Sequence, residues 1–196
     1  GSQAGIITNT VHGRAEIEDV RAFRVKEHLD KGDVVIVAGF QGVSGVGKEI
    51  TTLGRGGSDA TAVAMASYLQ ADACEIYTDV DGVFTADPRV VPDARKLDEV
   101  SFVEMAEMAA AGAGVLMLRS VEMGQRWGVP LHVRSSFHDG EGTWVRAAVS
   151  GPAGLVGVAH DSDQAFVGLA GEGDAGVVTA ALLAAEVTGA TVGRGP

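Results

Sequence analysis

Arg55, Ser58 and Asp59 stand within five residues of one another in the run I-T-T-L-G-R-G-G-S-D-A-T-A-V-A-M-A, residues 50–66. A guanidinium takes a carboxylate or a phosphate by two parallel bonds, and an aspartate pairs with an ammonium. Gly54, Gly56 and Gly57 permit positive φ and a close backbone approach to a ligand. The combination describes a site for a zwitterionic or phosphorylated small molecule. A second group, D-V-D-G-V-F-T-A-D-P-R at residues 79–89, brings Asp79, Asp81, Asp87 and Arg89 together in sequence. Asp81-Gly82 and Asp87-Pro88 are equally well read as turn chemistry that needs no ligand. A calcium loop is excluded, because D-x-D-G lacks the third ligand position and the glutamate at twelve. Gly42, Gly47 and Lys48 match the opening of a P-loop, but Glu49 replaces the Mg²⁺-binding hydroxyl and β-branched residues follow where a helix should start.

The elements that must position these groups follow from periodicity. Ile50 to Thr52 reads as a β-branched approach to the glycine turn, with Ser58 and Asp59 as the capping oxygens of an alanine-rich helix over 60–70. Small side chains let that helix sit close to a sheet, and its first turn points free N–H groups at the turn's occupant. The pattern predicts a helix over 20–29, a buried strand over 34–38, a glycine-rich loop over 39–47 and a strand over 73–78 that runs into the aspartate loop. Ser101-x-x-Glu104 is a capping box opening a helix that Gly112 stops, and a further helix spans 115–127 up to Gly128. Residues 130–135 and 141–145 read as strands. Both polar groups thus follow predicted strands, where open α/β sheets place their ligands. Met105, Met108, Met117 and Met123 are read as core filling, and His132, alternating with Leu131 and Val133, as structural. From Gly151 the texture changes: short strands over 154–159 and 165–169, a loop over 171–176, a helix over 177–187 and a strand stub at 190–192 suggest a partial α+β module.

The 196 residues are 46% apolar and include 28 glycines, which suits an α/β protein with many tight turns. A net charge of −11 argues against a nucleic-acid partner. Cys74 is the one cysteine, read as a buried thiol in a reducing compartment. With neither a run of 18 apolar residues nor a charged-then-apolar leader, no membrane association is expected and the reading is cytoplasmic.

Five runs taken in order resemble the bacterial aspartate kinases of the amino-acid kinase family: V-A-G-F-Q-G-V-S, I-T-T-L-G-R-G-G-S-D, C-E-I-Y-T-D-V-D-G-V-F-T-A-D-P-R, R-S-V-E and P-L-H-V-R-S-S-F. The similarity covers residues 1–145, and the tail from Leu155 resembles the start of the family's regulatory ACT module. The resemblance implies a three-layer αβα sandwich over 1–146, the C-terminal portion of a kinase domain, then a linker over 147–154 and a partial ACT-like domain over 155–196. It implies ATP-dependent phosphorylation of L-aspartate with Mg²⁺, the first step of lysine, threonine and methionine biosynthesis. Arg55, Gly56, Gly57, Ser58 and Asp59 would bind aspartate, with Asp59 also catalytic. Thr78, Asp79, Phe84, Asp87, Arg89, Gly114 and Val115 would bind the nucleotide, and the metal ligands are not implied by the motifs. A homo-oligomer or regulatory subunit formed through the ACT-like module, with lysine or threonine as effector, is implied as well.

Two departures from the family pattern matter. Its N-terminal K-[FY]-G-G motif is absent, so the chain reads as opening inside the kinase domain, and Gly114 of G-A-G-V-L stands where the family has a lysine. The expectation is therefore that this chain, by itself, does not phosphorylate aspartate. Ala60 and Met117 replace a threonine and a histidine common at those points. The alternatives are another amino-acid kinase, acting on glutamate or a nucleoside monophosphate, and a non-catalytic relative that binds an amino acid or partner subunit.

Overall fold

The computed structural model describes residues 1–147 and 155–161. The segments read from sequence as strands, loop and helix between 165 and 192 lie outside them. The compact unit runs from Gly1 to Asp161.

After a 3₁₀ turn over Ser2–Ala4, the chain forms β1 (Ile6–Thr8), β2 (Ile17–Val20), α1 (Phe23–Asp30), β3 (Gln41–Ser44), β4 (Ile50–Thr52) and α2 (Gly57–Leu69). There follow β5 (Cys74–Thr78), β6 (Glu99–Ser101), α3 (Phe102–Ala110), α4 (Leu118–Trp127), β7 (Leu131–Ser135) and β8 (Thr143–Arg146). Among the described residues the strands make two mixed four-stranded sheets, ordered β2-β1-β3-β4 and β5-β7-β8-β6. The class is α/β, as the composition suggests.

Helix α2 joins the two halves. Val63 and Ala66 belong to the core of β5, β7, β8, α3 and α4, whereas Ala64 and Met65 belong to a second core with Ile6, Ala22 and Val25. A helix buried on opposite sides has no polar stripe, and only small side chains let it approach both partners closely. Met105 and Met108 fill the first core, and Met123 packs against both. Cys74 is buried, and burial first, then the Asp59 charge, pushes its thiol up to about 11. The capping box is complete: the Glu104 amide donates to Ser101 Oγ at 3.2 Å, and the Ser101 amide donates to Glu104 Oε2 at 2.9 Å.

Several expectations are corrected. Residues 34–38 form no strand; Val34 and Ile36 are 93% and 94% exposed, and only Val35 and Val37 pack inward. An apolar run becomes a strand buried on both faces only in a sheet with layers packed on each side, and no ladder forms here. Part of the expected loop over 39–47 is instead β3. Gly42 is required there by proximity, since a β-carbon on it would overlap Thr8 Cγ2 of the parallel neighbour β1. The helix expected over 20–29 starts at Phe23, because Val20 pairs with Ile6 in the ladder of β1 and β2. That expected over 115–127 starts at Leu118, leaving Gly114 and Val115 in the preceding loop. Residues 155–159 are not a strand; the Val158 amide donates to Thr85 O at 2.8 Å, and Val156 packs against the first core.

Candidate functional site

The turn after β4 is held by backbone geometry rather than by capping side chains. Helix α2 begins at Gly57, three residues earlier than expected, and its N-cap is Gly56 at φ 70° with no side-chain capping bond. Ser58 and Asp59 therefore lie inside the first helical turn, which corrects their reading as caps. Gly54 at φ 76° and Gly56 both need the left-handed region. The Gly57 amide closes the turn on Gly54 O at 3.0 Å. Contacts also forbid larger residues: a β-carbon on Gly56 would overlap Met117 Cγ, and one on Gly57 would sit 2.7 Å from Leu53 Cβ.

Phe40 and Thr61 fix the other wall. The Phe40 amide donates to Thr61 Oγ1 at 3.1 Å, while Thr61 Oγ1 donates to Gly57 O at 2.7 Å. Phe40 has φ 71°, an uncommon conformation for a bulky side chain and one that marks the strand entry as constrained.

Within this frame Arg55 is exposed, and its guanidinium has no hydrogen-bond or ion-pair partner among the described residues. Asp59 is half-buried. Burial raises its pKa above the usual aspartate value, while the Ser58 hydroxyl, donating to Asp59 Oδ1 at 3.2 Å, opposes the shift. A free guanidinium and a partly desolvated carboxylate on one turn are the two charge types that an amino acid calls for.

The second group follows β5. Thr78 Oγ1 donates to Asp79 Oδ1 at 3.1 Å at the strand end. Asp87 and Arg89 are paired with each other: Nη2 of Arg89 lies 2.8 Å from Oδ2, and the Arg89 amide donates to Oδ1 at 2.9 Å. This holds the Asp87 carboxyl down at about 2, and the guanidinium is correspondingly raised, with Asp79 adding a smaller attraction. Asp81 is met by His138 Nε2 at 2.8 Å. The Asp81-Gly82 turn is pinned from β8, since the Val83 amide donates to Thr143 Oγ1 at 2.9 Å, and that hydroxyl donates to Leu97 O at 2.6 Å. Phe84 bridges Lys96, whose ammonium donates to Gly142 O at 2.7 Å and to Asp98 at 3.0 Å.

Each predicted group thus sits at the C-terminal end of a strand, but β4 and β5 lie in different sheets, and no hydrogen bond or ion pair joins the two groups among the described residues. Gly114 is exposed, and a side chain built there would meet nothing within 4 Å. His132, read from sequence as structural, has Nε2 at 2.8 Å from Glu141 O and its ring stacked on Trp144 at 3.9 Å. Arg119 was not singled out by the sequence. Its guanidinium donates to Leu53 O at 3.2 Å and to Ala15 O at 2.8 Å, 66 and 104 residues away. Among the described residues no cluster of three metal-binding side chains exists, and no helix is long and apolar enough to cross a membrane.

Residues 1–135 match the model of the amino acid kinase family. Over 175 residues the chain is 60% identical to the aspartokinase of Mycolicibacterium smegmatis, covering 87% of this chain and 42% of that protein. Among solved structures it resembles E. coli aspartokinase III in complex with aspartate and ADP, with TM-score 0.68 and 39% identity over 76% of this chain and 34% of that one. The same enzyme in complex with lysine and aspartate matches with TM-score 0.66 over the same shares.

Proposed function

The chain belongs to the amino acid kinase family, and from that membership we propose that it carries the amino-acid site of an aspartate kinase, whose whole protein passes the γ-phosphoryl group of ATP to the side-chain carboxylate of L-aspartate. A carboxylate oxygen of aspartate bonds to the γ-phosphorus, the bond from that phosphorus to the β,γ-bridging oxygen breaks, and 4-phospho-L-aspartate and ADP leave. The observation that carries the proposal is the turn after β4, where Arg55 has no protein partner and Asp59 is half-buried beside Ser58. Arg55 orients a carboxylate of the amino acid by two bonds, and Asp59 takes its ammonium. Gly56 and Gly57 bring the backbone close. Such positioning is most of what phosphoryl transfer asks of a protein.

In this reading Thr78, Asp79, Phe84, Asp87 and Arg89 line the nucleotide end, with Gly114 and Val115 beside them. Mg²⁺ fits as a companion of the nucleotide, because it is usually held by phosphates and one or two carboxylates rather than by a protein cage, and Asp79 is a suitable donor. Bound there, it would offset phosphate charge. Lysine as effector is supported by the lysine complex of E. coli aspartokinase III. Threonine as an alternative effector, assembly through an ACT-like module over 155–196, a cytoplasmic location and a place at the head of lysine, threonine and methionine biosynthesis belong to the same proposal.

Gly114 favours a second reading, a non-catalytic relative that retains the amino-acid site. A thermal-shift panel of L-aspartate, L-glutamate and UMP tests substrate class. The proposal expects the melting temperature to rise with L-aspartate alone, because a ligand stabilises the state that binds it. A rise with UMP or glutamate and none with aspartate would assign the turn to another member of the family. Aspartate-dependent release of ADP then separates kinase from non-catalytic relative.

A further inference from the structure

We infer that Arg119 is a positioning residue for the turn that carries Arg55, holding it through two main-chain carbonyls; the inference rests on the aspartate-site reading of that turn. Leu53 immediately precedes the glycine turn and is 2% exposed, and Ala15, 0% exposed, lies in the loop that passes behind it. Arg119 Nη1 donates to Leu53 O at 3.2 Å and Nη2 to Ala15 O at 2.8 Å. The Ala15 amide in turn donates to Thr52 O at 3.0 Å, so the guanidinium, the loop and the end of β4 form a closed set of bonds.

The arm that delivers this fork is packed and hydrogen-bonded at its start. Arg119 is the second residue of α4, whose N-cap is Met117. Ser120 Oγ donates to Met117 O at 2.7 Å, and Val121 and Gly124 bury the helix. Met117 itself lies directly against Gly56. One helix start therefore touches the turn on both sides of Arg55: Met117 at the residue after it, and Arg119 at the residue two before it. Gly54 is confined as well, since a β-carbon on it would stand 2.5 Å from Gly13 O.

Only a planar fork serves both carbonyls at once. A lysine has one nitrogen and can reach either, and a methionine leaves two carbonyls of buried residues without this donor. Fixing the turn matters for binding because an ordering cost met in the free protein is not met again when the ligand arrives.

Amide exchange and ligand titration of Arg119→Met and Arg119→Lys test this. The Gly57 amide, bonded to Gly54 O, reports the turn, and the Ile76 and Val133 amides of β5 and β7 report global stability. The expected result is Gly57 exchange about tenfold faster in Arg119→Met with Ile76 and Val133 unchanged, L-aspartate affinity lowered by about tenfold, and both effects smaller in Arg119→Lys. Unchanged Gly57 exchange, or a change matched by Ile76 and Val133, would overturn the inference by leaving Arg119 a general stabilising contact. Should Arg119→Met not fold, the lysine variant carries the same comparison. A wild-type chain that fails to bind aspartate while Gly57 still responds to Arg119 would contradict the aspartate reading and leave the positioning role standing. Loss of aspartate binding in Arg55→Ala with none in either Arg119 variant would do the reverse.

Discussion

Arg89 is folded back onto Asp87, with its backbone amide 2.9 Å from Oδ1 and its Nη2 2.8 Å from Oδ2, so the guanidinium at the end of the aspartate loop enters as half of an ion pair. The sequence offered two readings of Asp87, turn residue or ligand. In the structure its carboxylate is bonded to the Arg89 amide and guanidinium.

The pair gives a pH dependence of known sign. A carboxyl whose folded pKa is depressed stabilises the folded loop above its unfolded value, here 3.8, and that contribution is lost as pH falls through the folded value of about 2. Between those limits the resonances of residues 87–91 should shift while those of β5 and β7 hold. Concerted shifts throughout the chain would mean that this pair does not titrate locally.

Arg89→Ala should weaken binding of an ATP analogue by about tenfold in calorimetry, the scale of a lost charged contact. Its melting temperature should stay near that of the parent, because the Arg89 side chain is 89% exposed. Unaltered affinity together with a large loss of melting temperature would make Arg89 structural.

Asp59 behaves in the opposite sense. Burial raises its pKa, so the folded state is penalised for ionising it, and the penalty grows as pH rises from the ordinary aspartate range through the raised value. Asp59→Asn is therefore expected to keep or raise the melting temperature at pH 7 while losing aspartate affinity. A clear drop in melting temperature with intact binding would reverse the assignment.

Gly56→Ala tests the left-handed turn. Its φ of 70° and the overlap with Met117 together should cost about 1–3 kcal/mol in urea unfolding. Gly56→Ala with Met117→Ala should recover the steric part and keep the backbone part. A neutral Gly56→Ala would show that the turn is not constrained as described.

Gly114→Lys should fold normally, because nothing stands within 4 Å of the new side chain and Gly114 is not in the left-handed region. The cations of the aspartate loop and its bridge are already engaged, Arg89 with Asp87 and Lys96 with Asp98 and Gly142 O. A lysine here supplies a free charge where the family has one, and any aspartate-dependent ADP release should rise by about 10²-fold, the scale of one transition-state donor, when the family's N-terminal lysine motif is supplied as well. No rise would place Gly114 away from the phosphates.

The turn after β4 was legible because its signals are local: a β-branched run, glycines and an alanine-rich helix lie within 17 consecutive residues. So was the Ser101–Glu104 box, a pattern of four residues. Strands β1, β2 and β6 were missed because three or four residues carry too little periodicity. The run Val34 to Ala38 misled because apolar sequence reports a capacity to be buried, whereas burial on both faces needs a sheet to join and layers to cover it. The link between Arg119 and Ala15 could not be read at all. It spans 104 residues and ends on a carbonyl, which every residue has.

The central claim is that residues 55–59 form an aspartate site, and calorimetric titration of L-aspartate into the wild-type chain and into Arg55→Lys tests it most directly. The predicted result is saturable one-site binding to the wild type, weaker by about 1.5–3 kcal/mol in Arg55→Lys, with affinity for an ATP analogue unchanged. Equal aspartate affinity in both proteins, with the ATP analogue bound more weakly by the variant, would contradict the claim and move this turn to the nucleotide.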